Sequence, residues 1–327
     1  MKTPKFWYKK NTIISKILEP FSKFWLLLCY INDNSNRKVY FKAPIICIGN
    51  AIAGGAGKTP LIQEICKEYK KFNLAIHVIY KAYKIKLNKD VLKVNPSSKA
   101  EESGDEAILT SKLATTWVCK KREYGINAAI SDGAAIVLLD DGLQDNSIKK
   151  DVNILVTNEK QGNGNNKIIP AGPLREPFSK SLKKSDCIFF YGTRKLYNEI
   201  YSNNKKKVFF GKVELANKRI LEMLKGENVI AFAGIAHPRN FFNYLKKYNI
   251  NIIKELYFPD HYIYNKKDLL KILKLSTNLS AKILTTSKDY VKIPYELRKN
   301  IIEIDINIKF NKKMFFNYLN KKIGINV

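Results

Sequence analysis

Gly54-Gly55-Ala56-Gly57-Lys58-Thr59 follows the apolar run Ile45-Ile46-Cys47-Ile48 and precedes Leu61, Ile62, Ile65, Cys66 and Tyr69, which recur on one face of a helix. A buried strand, a glycine turn and a helix in that order form a phosphate cradle. Glycines let backbone N–H groups converge on phosphate oxygens, and the helix N-terminus adds a favourable dipole. The cradle is read as Ile52, Ala53, Gly54, Gly55, Ala56, Gly57, Lys58 and Thr59. In it Lys58 would reach the β- and γ-phosphates and the Thr59 hydroxyl would hold Mg²⁺. The strict G-x-x-x-x-G-K-[ST] pattern has glycine where Ile52 stands, so this is a variant loop. Pro60 suits the first helical turn, where a missing N–H breaks no bond.

Such a loop needs an acidic partner for its metal. Ala134-Ala135-Ile136-Val137-Leu138-Leu139-Asp140-Asp141 is an apolar strand ending in carboxylates, the Walker B arrangement, and Asp140 and Asp141 are the metal candidates. The alternative is that Asp141-Gly142 is only a turn. These two motifs imply a bound nucleotide with Mg²⁺ but leave the acceptor open among GTPases, motors, partner regulators and small-molecule kinases.

Apolar strand patterns at 75–80, 134–139, 152–156 and 187–191 alternate with helical ones, notably 106–114, as in a parallel sheet covered on both faces. A Gly-, Asn- and Pro-rich loop spans 161–177. After a junction near 195–225 the alternation restarts, with strands at 229–233, 250–256, 283–286 and 301–306 and helices at 240–248 and 265–275. The fold class is therefore α/β: a P-loop NTPase-like parallel-sheet domain and a second, smaller α/β domain. Residues 13–31 form a separate helical segment that Pro20 breaks or kinks. Its apolar run Phe24–Ile31 is too short to span a bilayer. Trp7, Trp25 and Tyr30 beside lysines suit a helix in the headgroup region, while packing on the protein's own core fits equally well.

The five scattered cysteines form no C-x-x-C pair, which argues against a zinc site or disulfide framework. The formal charge of +29 favours anionic partners, though lysine and asparagine are enriched throughout the chain. A nucleotide-binding regulator of protein or nucleic acid would use that charge. However, no RNA-binding, aromatic-stacking or guanine-specificity motif accompanies it, and neither nucleic acid nor an obligate protein partner is expected.

Seven stretches, in order, resemble the tetraacyldisaccharide 4'-kinase family. They are Gly49-Asn50 with Gly54–Pro60, Gly104-Asp105-Glu106, Asp140–Gln144, Pro170–Pro177, Ala233–Pro238, Phe258–His261 and Thr285–Lys292. The block Pro170-Ala171-Gly172-Pro173-Leu174-Arg175-Glu176-Pro177 is the most distinctive. The resemblance implies transfer of the ATP γ-phosphate to the 4'-hydroxyl of a tetraacyldisaccharide 1-phosphate, a late step of lipid A biosynthesis. It implies three parts: a membrane-associated segment (1–35), a nucleotide-binding and catalytic domain (36–200) and a smaller α/β domain closing over the cleft (201–327). It also implies an anionic membrane surface as partner, with the protein peripheral or monotopic on the cytoplasmic face of the bacterial inner membrane.

Asp105 matches the family's catalytic base and His261 the histidine that pairs with it. From the residues alone, Asp105 could be a helix cap and His261 a loop histidine. Glu106 and Gln144 are supporting candidates for either the metal or the attacking group, and Arg175 for a clamp on phosphate. A solvated glutamate, a turn glutamine and a surface arginine are the competing readings. His77 within a strand reads as structural, and His237 before Pro238 as a cap. Lys288 and Asp289 either shape the second domain's side of the site or pair with each other. Two departures stand out: Tyr80-Lys81-Ala82-Tyr83-Lys84 replaces the family's Ser-Arg-Gly-Tyr-Gly, and Asp145 replaces a histidine. Lys81 keeps a cation without bidentate geometry.

Overall fold

The computed structural model describes residues 4–35, 38–83, 85–201, 204–216 and 218–326. Its strands are β1 (Ile45–Gly49), β2 (Ile76–Lys81), β3 (Val91–Val94), β4 (Thr115–Cys119), β5 (Ile136–Asp140), β6 (Val152–Asn158), β7 (Cys187–Tyr191), β8 (Lys207–Leu215), β9 (Asn228–Ala233), β10 (Asn251–Tyr257), β11 (Lys282–Thr286), β12 (Ile301–Ile304) and β13 (Ile306–Phe310). Two compact units result. One comprises Thr3–Lys93, Leu113–Val213 and Ile308–Val327; the other comprises Val94–Lys112 and Glu214–Asn307.

The larger unit is built on a sheet of order β13-β8-β7-β6-β1-β5-β2-β4-β3. The pairs β1–β5, β1–β6, β2–β5, β2–β4, β6–β7 and β7–β8 are all parallel. Every residue of β1, β5 and β7 is buried, which explains why these strands are apolar throughout instead of alternating. The chain leaves β1 toward β2 on one side and later returns to β6 on the other. This switch point is where an open α/β sheet leaves a crevice at its carboxyl end. The 195–225 stretch, read as a junction, contains β8, whose Phe209 packs edge-on against Phe315 of the helix Lys312–Ile323.

The helix Ile13–Ser35 runs unbroken with Pro20 inside it, so the expected break does not occur. Its polarity is inverted. Ser15 and Ser22 are buried, whereas Ile13 (77% exposed), Ile17 (64%), Phe21 (60%) and Phe24 (61%) face outward. The attachment to the 163–175 loop is polar: the Ser15 hydroxyl donates to the Ala171 carbonyl at 2.8 Å, Ser22 to the Ile168 carbonyl at 2.7 Å and the Trp25 indole to the Arg175 carbonyl at 3.1 Å. Packing of this helix's apolar face on the core is thereby excluded. Among the described residues no helix is long and apolar enough to cross a membrane.

The smaller unit holds the parallel sheet β10-β9-β11-β12. Phe232, Phe242, Leu245, Leu269, Ile272 and Leu284 are buried around it. The helix Lys266–Asn278 starts in a full capping box between Asn265 and Asp268. The stretch 301–306, expected to be one final strand, divides at Asp305 into β12 and β13, and the helix Lys312–Ile323 follows. Residues 94–112, including the helix Asp105–Ser111, belong to this unit although more than a hundred residues separate them from the rest.

Candidate active site

The larger unit carries the phosphate loop at the carboxyl end of β1. Gly57 caps the helix Lys58–Lys71 with φ +92°, and a Cβ there would come within 2.7 Å of the Tyr191 ring. Only glycine therefore fits. The Tyr191 hydroxyl donates to the Gly57 carbonyl at 2.7 Å, fixing the back of the loop. Its front is held by the Pro170–Pro177 block: Ala53 N–H donates to the Pro173 carbonyl at 2.7 Å and Arg175 N–H to the Ala51 carbonyl at 2.9 Å. Ile52, the departure from the strict motif, bridges Leu174 and is buried, so its side chain has a packing role that glycine could not fill.

Lys58 Nζ lies 3.2 Å from Asn50 Oδ1 and 3.3 Å from Asp141 Oδ1. Arg175 Nη1 meets Asp141 Oδ2 at 2.8 Å. Burial raises the Asp141 carboxyl, but the Lys58 and Arg175 charges outweigh it and bring its pKa down to about 2. Gln144 donates to the Asn50 carbonyl at 3.0 Å and its own Oε1 faces Arg175 at 3.4 Å. Thus Asn50, Lys58, Asp141, Gln144 and Arg175 form one network. Thr59 and Asp140 are buried beside it at the starts of the helix and the turn. A hydroxyl and two carboxylates are hard oxygen donors of the kind Mg²⁺ takes when phosphates and water complete its shell. The donor set and glycine cradle fit a nucleotide with that ion.

Arg122 was not foreseen. Buried, it donates to the Asp140 carbonyl at 3.1 Å and the Asp141 carbonyl at 2.9 Å, gripping the turn that carries both carboxylates. Asp145 holds it at 2.9 Å. The departure at 145 thus supplies a counter-ion, and the signal for it was a lone acid just after the strand that ends in Asp140. Glu176 is also buried, accepting from Ser181 at 2.9 Å and Lys184 at 2.9 Å. His77 is buried and accepts from the Trp117 indole at 3.3 Å, a structural role. Lys81 ends β2, Ala82 N–H donates to the Cys119 carbonyl, and Lys84 lies outside the described residues.

The smaller unit brings Asp105 and His261 together. Asp105 is the first residue of its helix, not its cap: Gly104 occupies that position. Its Oδ1 nevertheless accepts the Glu106 N–H at 2.9 Å. His261 Nδ1 lies 3.1 Å from both Asp105 oxygens. The Asp105 side chain is 7% exposed and that of His261 60%. Burial raises the Asp105 carboxyl, yet the His261 hydrogen bond and the Lys288 charge leave it below its ordinary range. The hydrogen bond to Asp105 raises the imidazole in turn. Lys288 forms a close ion pair with Glu106, so it does not pair with its sequence neighbour Asp289. His237 occupies the N-cap position of the helix Pro238–Lys246.

The family model for tetraacyldisaccharide-1-P 4'-kinase matches residues 14–324. The tetraacyldisaccharide 4'-kinase of Rhodospirillum centenum is 32% identical over 317 residues, covering 95% of this chain and 94% of its own. That of Rickettsia akari is 32% identical over 321 residues, covering 98% and 96%. The solved structure of LpxK from Aquifex aeolicus in complex with ATP superposes with a TM-score of 0.76 at 25% identity, covering 95% of this chain and 99% of that one. Matched across nearly its whole length by fold and by sequence, this chain belongs to the tetraacyldisaccharide 4'-kinase family.

Proposed function

We propose that this protein transfers the γ-phosphate of ATP to the 4'-hydroxyl of a tetraacyldisaccharide 1-phosphate, an ATP-dependent step of lipid A biosynthesis. The observation that carries this reading is the buried Asp105 carboxylate, aligned by His261, on a chain that also holds a phosphate loop.

The loop amides and Lys58 bind the β- and γ-phosphates, and Arg175 adds a second cation from the Pro170–Pro177 block. Thr59, Asp140 and Asp141 would hold Mg²⁺, which when bound neutralises charge on the phosphates. The sugar oxygen forms a bond to the γ-phosphorus as the bond to the β,γ-bridging oxygen breaks, and ADP leaves. Asp105 accepts the hydroxyl proton and later releases it to water. A carboxyl held below its ordinary range is a weak base, but in a loose transition state the hydroxyl becomes acidic only as the new bond forms, so placement outweighs basicity. His261 supplies that placement.

The helix Ile13–Ser35 seats in the headgroup region of an anionic membrane, its outward isoleucines and phenylalanines toward the acyl chains. Support comes from its inverted polarity, since an apolar face turned to water would otherwise be a liability. A peripheral or monotopic position on the cytoplasmic face of the inner membrane follows from the same reading.

The test is transfer of labelled phosphate onto a tetraacyldisaccharide 1-phosphate in detergent micelles. Wild type should transfer, and Asp105→Ala should bind ATP normally yet lose at least about a hundredfold in rate. Folded, ATP-binding wild type without transfer would refute the proposal.

A further inference from the structure

Three stretches of the smaller unit, around 234, 261 and 289, converge on the backbone of Gly234. Its N–H donates to Asp289 Oδ2 at 3.0 Å. Its carbonyl accepts the His261 N–H at 3.1 Å and faces Lys292 Nζ at 3.5 Å. Asp289 and Lys292 are ion-paired at 2.7 Å with side chains 0% and 2% exposed. The Tyr264 hydroxyl donates to Asp289 Oδ1 at 2.9 Å and Thr286 to Oδ2 at 2.7 Å, so both carboxylate oxygens are engaged.

A buried ion pair returns little net stability, because desolvation offsets the attraction. Its arrangement here points to placement. His261 holds φ +58°, a left-handed backbone that costs energy in a residue with a ring. The N–H bond to Gly234 is one of the bonds that close this turn; Tyr262 N–H to the Pro259 carbonyl at 3.1 Å is the next. Gly234 has no slack, since a Cβ would stand 3.0 Å from the Pro259 carbonyl oxygen and the Tyr264 hydroxyl, and 3.1 Å from Asp289 Oδ1.

We infer that Asp289 and Lys292 are positioning residues for the proposed phosphotransfer: gripping Gly234 by its N–H and its carbonyl, they hold the His261 turn so that the imidazole meets the Asp105 carboxylate. The catalytic consequence rests on the proposed role of Asp105, whereas the geometric part does not. Among the described residues, the charged groups facing His261 are Asp105, Asp260 and Lys288, and the charged partner of Asp289 is Lys292.

The deciding experiment uses the full chain and changes no charge. Gly234→Ala crowds the hub, and Tyr264→Phe removes one bond to Asp289. The imidazole of His261 is titrated by NMR, its signal assigned with His261→Gln, alongside kcat and the KM for ATP. In Gly234→Ala the His261 midpoint should fall measurably toward its ordinary value. The kcat should drop about tenfold with KM for ATP unchanged, and Tyr264→Phe should move both in the same direction by less. A folded Gly234→Ala with an unmoved midpoint overturns the inference. If Gly234→Ala fails to fold, an unmoved midpoint in Tyr264→Phe does so. If wild type transfers no phosphate, the functional proposal falls while the midpoint still decides whether this hub positions His261.

Discussion

His261 Nδ1 is equidistant, at 3.1 Å, from the two oxygens of Asp105, a residue 156 positions earlier in the chain. An imidazole so placed favours its protonated form, and its folded pKa lies above the unfolded value. The stabilisation it brings is therefore full below about pH 6.5 and lost as pH rises through the folded pKa. The melting temperatures of wild type and His261→Gln should differ most near pH 6 and converge by about pH 9. An equal gap at both values would show that the imidazole's charge is irrelevant to the fold.

Arg175 is held between Asp141, Gln144 and the Ala51 carbonyl, which aims its guanidinium over the phosphate loop's own network. Arg175→Ala should weaken ATP binding about tenfold or more by calorimetry, the scale of one charge-assisted hydrogen bond. Arg175→Lys should recover only part of this, because an ammonium lacks the planar fork. Full recovery by lysine would mean that charge alone matters.

Asp145 is the counter-ion of buried Arg122. Burial raises its carboxyl, but the Ser147 hydrogen bond and the Arg122 charge bring it below its ordinary value. Removing it strands a guanidinium at the turn carrying Asp140 and Asp141. Asp145→Ala should cost ~1–3 kcal/mol in urea denaturation at pH 7, less than a fully buried pair because Asp145 is partly exposed. The loss should shrink as pH falls below about 4, where the carboxyl of the unfolded chain takes up its proton, and disappear once pH has passed through the depressed folded pKa. A cost independent of pH would point to packing instead of charge.

The outward face of the helix Ile13–Ser35 can be tested without touching the serines that dock it. Ile17→Glu with Phe24→Glu should lower co-sedimentation with anionic vesicles by about tenfold or more, while ATP affinity stays at the wild-type level. Vesicle binding equal to wild type would place membrane contact elsewhere.

Much of the nucleotide-binding region was legible because its information is local. Strand, glycine turn, Lys58, Thr59 and helix adjoin one another, and Asp140-Asp141 ends its own apolar strand, so short-range sterics and hydrogen bonding specify each piece. The family's motifs named Asp105 and His261, but no periodicity could join residues 156 positions apart. That pairing depends on Val94–Lys112 folding with Glu214–Asn307. Tertiary packing also decided that Arg122 grips the turn carrying Asp140 and Asp141, that Asp289 pairs with Lys292 and not Lys288, and that Ser15 and Ser22 face inward. A helical pattern states which residues share a face; which face meets the protein is settled only by the partners that the rest of the chain presents. Here the partners are the backbone carbonyls of Ile168 and Ala171, which bind hydroxyls and leave the apolar side free.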